Sequence, residues 1–171
     1  MIETERLVLR ELEPADLDAL AAVFADPEVM RFIGRGGVLD RDVARRIIER
    51  EREHYAERGW GEWATVEHGT GRFIGLCGLI LWPDIDGNEE LEVAYLLARD
   101  AWGVGYGTEA ATAIRDVGVT IRPDPVSVIY PDNIGSIRVA TKIGMTYEKD
   151  VTFEGNQLRL YRLAADGRSS A

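Results

Sequence analysis

At 171 residues the chain has the size of one domain with one core, and its 46% hydrophobic content with four Trp excludes a disordered chain. Twenty Lys and Arg against thirty Asp and Glu leave a formal net charge of −10, which argues against nucleic acid or membrane partners and favours cationic ones. A single cysteine excludes an internal disulfide and a cysteine-based zinc site, and no metal is expected.

The opening MIETERLVLR carries Glu3, Glu5 and Arg6, unlike a secretory signal, and no apolar run reaches the length of a membrane span, so a cytoplasmic location is expected. Leu7 to Leu12 alternates well enough for a first strand. Pro14 followed by ADLDALAAVFAD predicts a helix with proline in its first turn, ending near Asp26-Pro27. GRGG at 34–37 reads as a loop. Asp40 is placed to cap a long charged helix from about Arg41 to Arg58, with Val43, Ile47 and Ile48 on its apolar side and Gly59 as its stop. Strands over 63–67 and 72–82 flank His68-Gly69-Thr70-Gly71 as a hairpin, and Cys77 falls inside the second as a buried, inert thiol. Residues 83–88 form a turn-rich link into a strand over 90–98. A helix runs from about Gly107 to Val119, with Ala110, Ala113, Ile114 and Val117 on one face. Val126–Tyr130 is a short strand, and Asn133 caps a helix over 134–143 that Gly144 ends. Strands over 146–153 and 157–163 are joined by Glu154-Gly155-Asn156. This order predicts a single mixed α/β domain over 1–164, an antiparallel meander feeding strand–helix–strand units, with a flexible tail over 165–171.

WGVGYGTEA at 102–110 places glycines at every second position immediately before a helix start. Glycine there loses backbone entropy on folding, so the position answers either to a tight turn or to an anion approaching the helix N-terminus. Gly103-Val104-Gly105-Tyr106-Gly107 lacks the G-x-G-x-x-G dinucleotide spacing, and Gly107-Thr108 lacks the lysine of a P-loop.

The stretch VAYLLARDAWGVGYGTEA (93–110), followed by PDNIGSIRVATKIGM (131–145), resembles the GCN5-related N-acetyltransferase (GNAT) superfamily. ETERLVLRELEPADLDAL (3–20) and DPEVMRFIG (26–34) are similar to its branch of ribosomal-protein N-terminal acetyltransferases, RimJ and RimL. The resemblance implies one mostly antiparallel twisted sheet flanked by about four helices, and acetyl-coenzyme A as the acetyl donor. It implies that Trp102, Gly103, Val104, Gly105, Tyr106, Gly107 and Thr108 wrap the pyrophosphate. Trp102 replaces the usual Gln or Arg, and Val104 stands where a basic residue is frequent, so backbone N–H groups carry that role. Tyr95, Leu96 and Leu97 would pair with the pantetheine arm and offer an N–H to the thioester oxygen, and Asn133 would contact the arm or serve only as an N-cap.

For the chemistry, the resemblance points to Glu92 as the base that receives the amine proton; a solvated strand carboxylate beside Glu89 and Glu90 is the other reading. The superfamily's tyrosine position holds Ala140, and Ser136 matches the serine of the RimL-like branch, as cofactor contact and leaving-group partner or as a first-turn helix residue. Arg31, Phe32, Ile33 and Trp82 are the implied acceptor-binding residues. His54 and His68 read as surface residues, and Arg138 and Lys142 as a solvated helix face or phosphate contacts. The implied activity is direct acetyl transfer to a primary amine, a protein N-terminus or a small cationic amine, in a ternary complex of a monomer or homodimer. The alternative is a non-catalytic acyl-coenzyme A-binding or sensing module.

Overall fold

Eight strands form one sheet in the computed structural model, which describes residues 1–164. In chain order they are β1 (Ile2–Glu3), β2 (Leu7–Arg10), β3 (Glu62–Glu67), β4 (Phe73–Ile85), β5 (Asn88–Leu97), β6 (Val126–Ile129), β7 (Met145–Phe153) and β8 (Asn156–Leu163). The spatial order is β1-β2-β3-β4-β5-β6-β8-β7. Neighbours are antiparallel except β5 and β6, which run parallel.

Five α-helices accompany the sheet: α1 (Leu17–Phe24), α2 (Pro27–Met30), α3 (Arg41–Arg58), α4 (Tyr106–Ile121) and α5 (Ile134–Lys142). Their starts follow from local chemistry. Asp40 Oδ1 accepts the N–H groups of Asp42 and Val43 at the head of α3, each at 2.9 Å, and Asn133 Oδ1 accepts Ser136 N at 3.1 Å at the head of α5. Alternation along β5 then sorts the faces. Leu91, Val93 and Leu97 join a core with Leu79 of β4, Ala110 and Ile114 of α4, and Ile143. Leu96 turns the other way, toward a second cluster built from Leu20, Phe24, Ile48, Ala64 and Leu76. A third cluster of Ile85, Val126, Val151, Leu158 and Leu160 closes the β6–β8 end, with Trp82 and Phe153 packed on it.

The expected element order is present, with five differences. Ile2–Glu3 pairs with β2 and is too short to register as a pattern. Asp26 caps the one-turn α2 through Glu28 N at 2.9 Å, giving a fifth helix beyond the four expected. The helix expected from Pro14 begins as a 3-10 turn over Pro14–Asp16. The 83–88 link is not a loop. β4 runs through to Ile85, and Asp86 (φ 54°) with Gly87 (φ 85°) turns the chain directly into β5, the Asp-Gly pairing that suits a two-residue hairpin. On α3 the buried side extends to Glu51 and Tyr55, beyond the apolar residues expected there. The tail expected over 165–171 lies outside the described residues.

One feature of the sheet positions the site. β5 and β6 meet at a single residue pair, Glu92 with Val126, and then part.

Candidate active site

Where β5 and β6 part, Glu92 fills the gap. Its Oε1 accepts the N–H of Val128 at 3.1 Å, and its Oε2 accepts the indole N–H of Trp82 at 2.6 Å. Ser127 Oγ donates to the carbonyl of Val93 at 2.8 Å, so side chains replace the missing ladder bonds on both strands. Glu92 is therefore not one of a solvated run. Its neighbour Glu90 is buried and bonded to Arg162 at 2.6 Å, while Glu92 opens into a cavity of about 310 Å³. Burial pushes its carboxyl up to about 7, against the pull of the Trp82 and Val128 hydrogen bonds, and nearby Glu154 adds to the rise.

That cavity is lined by rings that include Phe32, Trp82, Tyr130 and Phe153 and by Glu62, Glu92 and Glu154, with no Lys or Arg in the lining among the described residues. Trp82 meets Phe153 edge-on at 4.8 Å between centroids. Phe32 lies 5.9 Å from Tyr130, whose hydroxyl donates to Gly34 O at 2.5 Å and ties down the glycine-rich loop.

A larger cavity, about 700 Å³, lies on the other side of the splay. Trp102, Gly103, Gly105, Gly107 and Thr108 line it together with Arg31, Arg138 and Lys142. Gly103 (φ 79°) and Gly105 (φ 94°) both adopt left-handed backbone, which a side chain disfavours, and Gly105 is the N-cap of α4. The first backbone bond into α4 runs from Glu109 N to Gly105 O at 3.1 Å, so the N–H groups of Tyr106, Gly107 and Thr108 precede any intrahelical partner. Free N–H groups, a helix dipole and three cations, against the carboxylates of Glu28 and Asp132, suit an elongated anionic ligand. Positions 102 and 104 offer no basic side chain, and Arg138 and Lys142 of α5 and Arg31 of the loop after α2 stand in the same lining. β5 offers the ligand an edge. Val93 turns its carbonyl toward Ser127, and strand alternation turns the N–H and C=O of Tyr95 the same way, past the point where β6 has left.

The two cavities share Phe32, Ile33, Tyr95, Leu96, Asn133 and Ser136. The Tyr95 hydroxyl donates to Ser136 O at 2.8 Å, and burial holds its pKa above the ordinary tyrosine value. Asn133 is both an N-cap and a lining residue. Ser136 is half-buried at the junction. Arg31 lines the larger cavity rather than the acceptor side, its guanidinium 5.1 Å from the Phe32 ring centroid. Val104 and Tyr106 do not line either cavity: Val104 is exposed, and the Tyr106 hydroxyl bonds to Glu67 Oε1 at 2.7 Å. Ala140 is fully buried in the core. Cys77 is buried as expected, its thiol pushed up by burial.

Residues 6–146 match the acetyltransferase (GNAT) domain family. The chain belongs to the GNAT acetyltransferases. It is 34% identical over 163 residues to the uncharacterized protein YkkB of Bacillus subtilis, covering 92% of each chain. It is 29% identical to an uncharacterized N-acetyltransferase of Bacillus licheniformis, over 85% of this chain and 82% of that one. The acetyltransferase from Agrobacterium tumefaciens superposes with a TM-score of 0.78 at 30% identity, over 95% of this chain and 93% of that one.

Several residues of this acetyltransferase's site escape sequence reading. Arg6 clasps the glycine loop: Nη1 donates to Val104 O at 2.9 Å, Nε to Glu109 Oε2 at 2.8 Å, and the guanidinium lies 4.7 Å from the Tyr106 ring centroid. The partners are about a hundred residues apart, and no pattern along the chain signals such a pairing. Glu62, Tyr130, Phe153 and Glu154 complete the smaller cavity; Glu154 and Phe153 read as hairpin residues, and Glu62 lies just before the strand expected over 63–67. Among the described residues no group of His, Cys, Asp and Glu is arranged to hold a metal ion, and no helix is long and apolar enough to cross a membrane.

Proposed function

We propose that this acetyltransferase moves an acetyl group from acetyl-coenzyme A to a primary amine by direct attack while both are bound. The observation that carries the reading is the meeting of the two cavities, one basic and glycine-lined, one acidic and ring-lined, beside Glu92. Opposite charge in adjoining cavities suits an anionic donor and a cationic acceptor, and explains how a chain of charge −10 binds an anion at all. Gly103, Gly105 and the first N–H groups of α4 would hold the pyrophosphate, with Arg138 and Lys142 near the phosphates and the β5 edge at Tyr95 along the pantetheine arm. The donor supplies an acetyl thioester. The acceptor ammonium gives a proton to Glu92, whose pKa of about 7 suits that task near neutral pH. Its nitrogen then attacks the thioester carbon and the N–C bond forms; the nitrogen gives its second proton to solvent water, and the C–S bond breaks as the thiolate leaves. Tyr95 N–H stabilises the carbonyl oxygen. The Ser136 hydroxyl donates a hydrogen bond to the departing thiolate, which takes its proton from solvent. Placement in the RimJ/RimL-like branch belongs to this proposal and rests on residues 3–20 and 26–34.

Thiol release assayed against a panel of alkylamines and basic peptides tests the reading. Glu92→Gln is expected to lower turnover about 10²-fold at pH 7, with a smaller deficit at high pH where more amine is already neutral. Wild-type rates in the variant would remove Glu92 from the chemistry. Acetyl-coenzyme A binding without turnover across the panel would favour the sensing module instead.

A further inference from the structure

The smaller cavity carries more negative charge than one reacting nitrogen requires. Glu62 and Glu92 share a face of the sheet: Glu62 is opposite Gly78 on β4, Gly78 is opposite Ala94, and Glu92 is two residues from Ala94 on β5. Two strand spacings and two residue steps put their Cα atoms about 12 Å apart, and both side chains reach into the same cavity. The floor between them is apolar, with Ile80 of β4 and Ala94 of β5 in the lining.

The surroundings of Glu62 leave it short of positive charge. Arg50 Nη2 is divided between Glu51 Oε1 at 2.7 Å and Glu62 Oε2 at 3.1 Å. One guanidinium thus serves two carboxylates, and Glu51, itself buried, also takes the Glu62 N–H at 2.8 Å and faces His54 Nδ1 at 3.3 Å. Glu62 Oε1 has no protein donor among the described residues. Burial and the Glu51 charge push the Glu62 carboxyl up to about 7, so it too is poorly compensated. A cavity of about 310 Å³ has room for a short linear molecule, at the small end of ligand pockets.

We propose that Glu62 is a second anchor, and that the acceptor is a linear diamine or polyamine whose distal ammonium binds Glu62 while its terminal nitrogen stands at Glu92. Carboxylate, apolar floor and carboxylate match ammonium, alkyl chain and amine in order. The six aromatic residues in the lining add favourable faces for a cation in transit. This inference rests on the acetyl-transfer reading of the same site.

The experiment compares 1,4-diaminobutane with n-pentylamine, which has nearly the same length and one charge fewer, in the wild type, Glu62→Gln and Glu62→Asp. Diamine binding is measured in parallel by calorimetry with coenzyme A present, a readout independent of turnover, and melting curves confirm that each variant is folded. The wild type is expected to prefer the diamine at least 10-fold in kcat/KM, the range of one charge-assisted hydrogen bond. In Glu62→Gln the ratio should fall toward one, and Glu62→Asp should keep most of it. Diamine binding that depends on Glu62 without any amine turnover would support the anchor and overturn the transfer reading instead. A ratio near one in the wild type would overturn the anchor. So would equal losses for both amines in Glu62→Gln, or a basic peptide N-terminus outcompeting the diamine.

Discussion

Trp82→Phe isolates the hydrogen bond that tunes Glu92. The indole N–H donates to Oε2 at 2.6 Å; phenylalanine removes the donor while keeping a ring against Phe153. A hydrogen bond to a charged group contributes about 1.5–3 kcal/mol, and one pKa unit corresponds to about 1.36 kcal/mol. The bond favours the carboxylate, so its loss should raise the Glu92 pKa by about one to two units from about 7. At pH 7 the deprotonated share then falls from about a half to between a tenth and a hundredth, and activity drops about 5- to 50-fold. Because a base must be deprotonated, activity is lost as pH falls through the Glu92 pKa, and the acidic limb of the kcat/KM profile should move upward in the variant. By pH 9 to 9.5 most of the loss should be recovered. The acceptor ammonium, titrating near the lysine value of about 10.4, lies above this window. A limb that stays in place, or a loss equal at every pH, would show that Trp82 acts only by filling space.

Gly105→Val should leave the domain folded, because a side chain at φ 94° costs on the order of 1–2 kcal/mol and its Cβ would meet only the Arg6 guanidinium, 3.3 Å away, which must shift slightly within its bonds to Val104 and Glu109; calorimetric titration should find no coenzyme A binding, and unchanged affinity would refute the phosphate cradle. Ser136→Ala should lower turnover by roughly 10- to 150-fold with coenzyme A affinity unchanged, the value of one hydrogen bond to a thiolate; lost affinity or a lower Tm instead would make the residue structural. Ala140→Tyr should not restore that turnover although it rebuilds the superfamily's usual tyrosine, because Ala140 is fully buried and overpacking should lower Tm by about 2–12 °C; a recovered rate would refute the burial argument.

Strong local signals were legible along the chain. Asp40 and Asn133 cap the helices that their positions announce, and the glycines at 103 and 105 mark a loop before a helix. Short elements left no such trace: two-residue β1 depends on its pairing with β2, and α2 is a single turn held by Asp26. Pro83 and the Asp-Gly pair suggested a loop because turn residues were read over the whole 83–88 stretch, whereas only Asp86 and Gly87 leave the strand conformation and Ile85 is drawn into the third apolar cluster. In the candidate site, Glu92 was legible by resemblance, and its surroundings were not. Trp82 and Val128 bond to it from other strands and Glu62 faces it across the cavity, and a grouping of that kind is a property of the sheet rather than of any window of sequence.

The position of Glu92 also explains why structure and chemistry coincide there. A parallel pair that separates after one residue pair leaves backbone N–H and C=O groups without ladder partners, and buried groups of that kind are rarely left unpaired. A glutamate at the fork accepts the orphaned Val128 N–H, as a neighbouring strand's carbonyl would have done. The same separation opens a cavity on one side of its carboxyl, while the protein packed around the rest of it desolvates the group and raises the pKa toward neutrality. Opening the sheet thus creates the edge at Tyr95 for one substrate, the cavity for the other, and a base between them. An apolar residue at 92 would orphan both the Val128 N–H and the Trp82 indole, each at a penalty of about 1–3 kcal/mol. Loss of stability and loss of the base would then appear together, and Glu92→Gln shares part of that penalty because its amide keeps one acceptor and turns a donor on the other N–H; Trp82→Phe leaves the carboxylate on Val128 and is the substitution that separates the two.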